Sequence, residues 1–337
     1  KPIMRPGTLK GTKAIGWFIK EYGIAQVSMN ITDINSTPLH VAFDEVCRAA
    51  QARGLRVTGT EIVGLVPERA VIDAGKYFLR KQHRSTGIPK EDILNIAIKS
   101  MGLDDLRPFV PEEKVIEYLL DADNNNNDKL TALTVRGFAD ETLRESPAPG
   151  GGSVAAYMGA LGAALGTMVA NLSAHKPGWD DRWDEFSQWA DRGLELETEL
   201  LHLVDEDTEA FNRIMAAFGM PKNTEEDKRL RSEAIQSATL FAAQVPLETM
   251  KTSFKAFEIC KAMAETGNPN SVSDAGVGAL AARAAVLGAG LNVKINASSL
   301  KDKAVADGLV AEAEKLMKDA DAAEREIMTI VENTIKK

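Results

Sequence analysis

Two stretches of this chain carry small residues at helical spacing over several turns. In 153–174 the residues Ala155, Gly159, Gly162, Gly166 and Ala170 fall on one face; in 273–293 Gly278, Ala281, Ala285, Gly288 and Gly290 line much of another. A helix face without side chains beyond Cβ is buried only if a second helix backbone comes very close. Such faces predict long helices in tight contact, inside a bundle or a dimer, rather than a ligand groove. The surrounding sequence agrees. Helical patterns are predicted over roughly 139–145, 180–218, 224–250, 252–266 and 302–335. No convincing strand follows Leu130, although "NVKIN" at 292–296 is ambiguous. Residues 132–337 are therefore expected to form an all-α helical-bundle domain.

The first third has a different texture. Ala14–Ile19 and Ile24–Ile31 are strand-like and separated by the turn "EYG". A helix follows, with Ser36 or Thr37 as cap, Pro38 in its first turn and Gly54 past its end. The strand-like "RVTGTEIVGLVP" and the helical "ERAVIDAGKYFLRKQ" come next, and further helical segments lie near "KEDILNIAIKSMG" and "EEKVIEYLL". The expectation for 1–120 is a small α+β domain, a β-β-α-β-α layer. Between the two lies "DADNNNND", which has nothing to bury and reads as a linker over 121–131.

Bulk properties exclude several classes. The chain has 337 residues, 44% hydrophobic and 26% charged, as in an ordinary globular protein. A net charge of −9 argues against nucleic acid as a main partner, and an anionic ligand would need a local basic patch. Cys47 and Cys260 match no metal spacing and read as reduced core residues of a cytoplasmic protein. The four histidines form no ligand motif, so no metal is expected. No secretory signal is visible. No uninterrupted apolar run reaches membrane-spanning length, since "AGVGALAARAAVLGAGL" is broken by Arg283. The start at Lys1 without Met predicts a processed or trimmed chain.

One carboxylate is out of place. In "LLHLVDEDTEAF", at about 100° per residue, Leu200, Leu203, Val204, Phe211, Ile214 and Phe218 all fall within about 60° of Asp207. Asp205 and Glu209 fall on the opposite side as solvent charges, with Glu206 on the flank. Asp207 is then either a structural acid paired with a cation from another helix, or an acid in a lined pocket whose burial raises its pKa. Other candidates are scattered. "SPAPGGGSVAA" leads straight into a helix capped at Gly152 or Ser153, and its glycines let backbone N–H groups approach an anion or carbonyl closely. It matches no nucleotide-binding pattern. Asp274 is explained as a helix-start acid. Asn292 and Asn296, one turn apart, have no such explanation and are candidates to hydrogen-bond a polar ligand. Lys176 suits a helix C-terminus or a carboxylated ligand, and His40 reads as a packing histidine.

Together these strings resemble the formiminotransferase-cyclodeaminase family. The resemblance to its cyclodeaminase part covers nearly all of 134–337, through "SPAPGGGSVAA", "LVDEDTEAF", "AAQVPLETM" and "GNPNSVSDAGVGALAARAAVLGAGLNVKIN". Residues 1–120 resemble the C-terminal subdomain of the formiminotransferase part, through "KAIGWFIKEYGIAQVSMNITD", "TPLHVAFDEVCRAAQARG" and "GTEIVGLVP". The resemblance implies conversion of 5-formiminotetrahydrofolate to 5,10-methenyltetrahydrofolate with loss of ammonia, with Asp207 as proton donor and acceptor. It implies a (poly)glutamylated tetrahydrofolate substrate with no permanently bound cofactor, and Gly150, Gly151, Gly152, Ser153, Lys176, Asn292 and Asn296 are the candidates to hold it. It also implies a homodimer through the all-α domain or a larger ring. The family's transferase histidine belongs to a subdomain that would precede Lys1, a further partner if it exists as a separate chain. His40 matches a family histidine other than the catalytic one. Glutamate formiminotransferase activity is therefore expected to be incomplete. The alternatives are a methenyltetrahydrofolate cyclohydrolase and a non-catalytic folate-binding or assembly module.

Overall fold

A computed structural model describes residues 7–123, 129–145 and 148–337. The asparagine run of the expected linker, Asn124–Asn127, lies outside the described residues. The chain divides into two compact units, residues 1–126 and 127–337.

In the first unit β1 (Thr12–Ile19) pairs antiparallel with β2 (Ile24–Ile31) in a register running from Thr12↔Ile31 to Ile19↔Ile24. The turn between them uses Gly23 at φ 64°, a left-handed conformation that suits glycine. Five helices follow: α1 (Leu39–Gln51), α2 (Glu68–Lys81), α3 (Lys90–Met101), α4 (Pro111–Lys114) and α5 (Ile116–Asp123). Pro38, Pro67 and Pro89 stand immediately before the first three, and Pro111 is the first residue of α4. Proline's fixed φ and missing N–H cost nothing at a helix start. Val71, Phe78, Leu94, Ile98, Met101 and Val115 make the core.

The expected third strand is a correction. Among the described residues the sheet has two strands, and Arg56–Val66 is irregular apart from one bridge, Val66↔Val115. Its backbone is spent elsewhere: Thr60 N–H donates to Gly102 O, Val66 N–H to Lys114 O, and Val66 O accepts from Ile116 N–H. Gly64, at φ 83°, breaks the extended path. The hairpin is left with Ile15, Trp17 and Phe18 exposed.

Among its described residues the second unit has helices and no strand: α6 (Val135–Thr142), α7 (Gly151–Ala174), α8 (Trp183–Gly219), α9 (Glu225–Thr266), α10 (Val272–Ser298) and α11 (Lys303–Ile335). α7 packs against α8, α9 and α10. Its small-residue face makes this possible. A Cβ on Gly162 would lie 2.9 Å from Gly278 O and 3.0 Å from Ala282 N of α10, and one on Gly166 would lie 3.0 Å from Ile259 of α9. Phe186, Leu200, Val204, Met250, Ile259, Val286 and Ile327 fill the core around these contacts. The "NVKIN" segment is the last part of α10 and not a strand. α7 and the stretch Pro269–Ser298 are each long and apolar enough to cross a membrane by length and composition, contrary to the reading of the runs alone. However, 56% and 50% of their most apolar windows are buried inside the unit.

α9 runs unbroken for 42 residues through Pro246, where two helices were expected. Proline removes the N–H that would bond the carbonyl four residues earlier, here Ala242 O, and its ring crowds that oxygen. Asn296 of α10 repairs the gap, its Nδ2 donating to Ala242 O at 2.6 Å. Replacing Asn296 with Ala should cost about 1–3 kcal/mol, because it strands a carbonyl. In a Pro246→Ala background, where the helix supplies its own N–H, the same substitution should cost clearly less. Urea midpoints of the four proteins check this; equal costs in both backgrounds would disprove the repair.

Candidate active site

Helix α7 begins without a cap of its own. Gly150 stands before it in an extended conformation and supplies no side chain, so the first N–H groups have no partner within the helix. One is satisfied from α8. Ser153 donates its backbone N–H and its Oγ–H to the same oxygen, Oδ2 of Asp207, each at 2.9 Å. Asp207 thus caps α7 from across the bundle, and the positive end of the α7 dipole faces its charge. The approach demands glycine: a Cβ on Gly152 would overlap the Asp207 carboxylate. Beside it, a Cβ on Gly151 would lie 3.5 Å from Asn292 Nδ2 of α10. Gly150–Ser153, Asp207 and Asn292 are therefore neighbours, drawn from three helices.

The apolar stripe read from the sequence explains the electrostatics. Leu200, Leu203 and Val204 are buried on the same side of α8, while Phe218 is 51% exposed at its far end. Burial pushes the Asp207 carboxyl above its ordinary value of 3.8; the Ser153 side-chain and backbone donors pull it down, less strongly. Among the described residues no lysine or arginine forms an ion pair with it, so the reading as a structural acid with a cationic partner is corrected. Both hydrogen bonds go to Oδ2, which leaves Oδ1 as the oxygen available to a proton. An acid with a raised pKa, one oxygen fixed and one open, is arranged for proton transfer. The unbonded N–H groups of Gly151 and Gly152 lie alongside. Among the described residues no group of His, Cys, Asp and Glu is placed to hold a metal.

The other sequence candidates divide. Asn292 is at the site, although its Nδ2 also donates to Gly288 O at 3.0 Å. Asn296 is one turn further on, and its amide is committed to Ala242 O. Ser153 is spent on Asp207 and is not a free donor, and α7 starts at Gly151, before the expected caps Gly152 and Ser153. Lys176 is a correction. It lies past the opposite end of the 24-residue α7, about 35 Å from Gly152 at 1.5 Å per residue, with its ammonium 3.9 Å over the Trp179 ring. Within one chain it is not part of the group of residues around Asp207. Asp205, expected as a solvent charge, accepts from Leu130 N–H at 2.7 Å and Thr131 Oγ at 2.6 Å. It anchors the segment leading into α6. His40, in the first unit, stacks on Tyr77 with ring centroids 4.3 Å apart, and burial lowers its pKa.

A long-helix bundle in which a glycine-started helix is capped by a half-buried aspartate defines a class of protein by its fold and site together. A family model described as "Formiminotransferase-cyclodeaminase" matches residues 134–315, more than half of the chain, and one described as "Formiminotransferase domain" matches residues 2–121. The chain belongs to the formiminotransferase-cyclodeaminase family. Formimidoyltransferase-cyclodeaminase of Gallus gallus is 37% identical over 299 residues, which are 89% of this chain and 55% of that protein. The chain thus spans about half the length of the curated relatives of that name. Methenyltetrahydrofolate cyclohydrolase of Methylorubrum extorquens is 37% identical over 202 residues, 60% of this chain and 97% of that protein. The crystal structure of formiminotetrahydrofolate cyclodeaminase from Thermotoga maritima aligns with 61% of this chain and 100% of that one, at 26% identity and a TM-score of 0.55.

Substituting Gly152 with Ala should push the Asp207 carboxylate off Ser153 and cost about 1–3 kcal/mol of stability through overpacking. Gly7→Ala, with nothing within 4 Å of the added methyl, is the control. Thermal melts compare the two, and an unchanged melt for the Gly152 variant would contradict the close approach.

Proposed function

We propose that the chain is a formimidoyltetrahydrofolate cyclodeaminase with Asp207 as its proton shuttle. The observation that carries this reading is the carboxyl at the α7 start, raised in pKa, fixed through Oδ2 and open at Oδ1. The reaction needs such a group. N10 of the folate attacks the carbon of the protonated formimino group, and the resulting tetrahedral centre carries N5, N10 and an amino nitrogen. Asp207 takes the proton from N10 and delivers it to the amino nitrogen; the bond to that nitrogen breaks with its electron pair leaving as ammonia, and the N5 lone pair closes the C=N bond of the methenyl cation while the C–N10 bond is kept. A single carboxyl whose pKa is raised by burial performs both transfers. The first N–H groups of α7, at Gly151 and Gly152, offer donors to a carbonyl or anionic part of the substrate, and Asn292 offers its amide oxygen. A tetrahydrofolate derivative is the substrate class implied by the family.

A second reading has its own support, since the cyclohydrolase relative aligns along nearly its whole length. There the same carboxyl would move a proton to or from water. We also propose a homodimer through α7 and α10. α7 carries no charged residue, and Arg283 and Lys294 of α10 turn to Asp321 and Glu314 of α11. Leu161, Met168, Leu172, Val277, Leu280, Leu291 and Ile295 are left exposed. The free thiols of Cys47 and Cys260 fit a reducing compartment, which we take to be the cytoplasm.

Ammonia release from 5-formiminotetrahydrofolate should fall about 10²–10⁴-fold in Asp207→Asn, the usual worth of a positioned general acid–base. Equal rates would remove Asp207 from the mechanism, and methenyl hydrolysis exceeding ammonia release would favour the second reading. The same variant tests the buried charge. An aspartate held above its ordinary value favours folding while protonated and loses that contribution as pH rises from about 4 through its raised pKa. Asp207→Asn should therefore gain thermal stability relative to the parent as pH is raised across that window; the opposite trend would show that the carboxylate is stabilised as an anion.

A further inference from the structure

The net charge of −9 hides a local reversal at one end of the helical unit. Lys222, Lys228, Arg231 and Lys301 line a cleft of ≈360 Å³ with Ser232, Ile235 and Gln236, and among these lining residues there is no carboxylate. The cleft lies where α8 ends, α9 begins and α10 turns into α11. Its walls are tied together across those elements. Lys301 donates its backbone N–H to Gln236 Oε1 at 2.7 Å and its Nζ to Ser232 Oγ at 2.6 Å, and Gln236 Nε2 donates to Ser299 O at 3.4 Å.

Nearby acids are engaged elsewhere. Glu226 and Glu233 both pair with Arg229, Asp227 closes the capping box with Thr224, and Asp302 caps α11 through Val305 N–H. Glu225 alone reaches a cleft cation, Lys228, with a side chain 90% exposed. Such a pair is weak and easily exchanged for another anion. Helix-end complementation explains part of the cluster: Arg231 donates to Phe218 O at the end of α8. It does not explain why the Lys301 ammonium meets a serine hydroxyl, or why Lys222 joins the same cleft. Three lysines and one arginine lining one cleft, with no carboxylate among the lining residues, fit several negative charges borne on one ligand.

We propose that this cleft is an anion site for a ligand bearing two or more carboxylates or phosphates. Two sources share that chemistry. One is the far, acidic end of a molecule whose reacting part sits at Asp207: Phe218 is eleven residues further along α8, about 16 Å at 1.5 Å per residue. The other is a free polyvalent anion. Only the first source rests on the reading of Asp207 given above.

The test is calorimetric titration of the full chain at low ionic strength with two probes, a γ-linked triglutamate peptide and inorganic tripolyphosphate. Neither contains a pterin, so the result is independent of the reaction at Asp207. At least one probe should bind, weaken with added salt, and lose roughly tenfold or more in affinity in Lys222→Gln/Lys228→Gln/Lys301→Gln. Lys315→Gln/Lys318→Gln/Lys337→Gln, which removes three exposed charges elsewhere, should bind like the parent. Tighter binding of the peptide assigns the site to a carboxylate chain; tighter binding of tripolyphosphate assigns it to a free phosphate-bearing anion. Absence of binding by both probes, or equal weakening in the two triple variants, would overturn the proposal.

Discussion

The first turn of α7 and the carboxylate of Asp207 each lack something that the other supplies. A helix start lined by glycines has N–H groups and no side chain to satisfy them, and an aspartate among leucines and valines has charge and no counterion. Bringing them together meets one N–H and one hydroxyl while leaving the acid without a cation. That balance sets the site's chemistry. A full positive partner would have held the carboxyl ionised, whereas two dipolar donors in a partly apolar setting leave it raised.

The rest of the bundle makes this meeting possible. α7 reaches Asp207 because its glycines admit the α10 backbone and the side chains of α8 and α9 along its length. α10 in turn carries Asn292 to the α7 start and Asn296 to α9 one turn later. The second asparagine repairs the carbonyl that Pro246 leaves free and so keeps α9 continuous past the site. The two asparagines look alike in the sequence and do different work: Asn292 stands at the glycine turn, and Asn296 holds the neighbouring helix together.

Several sequence readings failed for a common physical reason. "RVTGTEIVGLVP" has the composition of a strand, but Gly64 adopts a left-handed φ and its flanking N–H groups find partners on the segments at Gly102 and Lys114. Strand propensity states what fits a sheet, not whether a neighbouring strand offers hydrogen bonds there. Lys176 looked suited to a carboxylated ligand by type and by its place at a helix end. The length of α7 puts it far from the other candidates. Asp205 looked like a solvent charge by its angle on the helix wheel, yet an irregular segment from Leu130 folds back onto that face.

Periodicity alone determined that 132–337 would be long helices in close contact and that Asp207 would point inward, because both depend on the 3.6-residue repeat and on side-chain size. What the tertiary structure decided was which groups meet: Ser153 with Asp207, Gly151 with Asn292, Asn296 with Ala242, and four cations around one cleft. Each of the three pairs joins residues more than 50 positions apart, and the cleft brings Lys301 to Ser232 and Gln236 of α9. Local spacing fixes a residue's angle about its own helix axis, and only the crossing of helices fixes what lies opposite it.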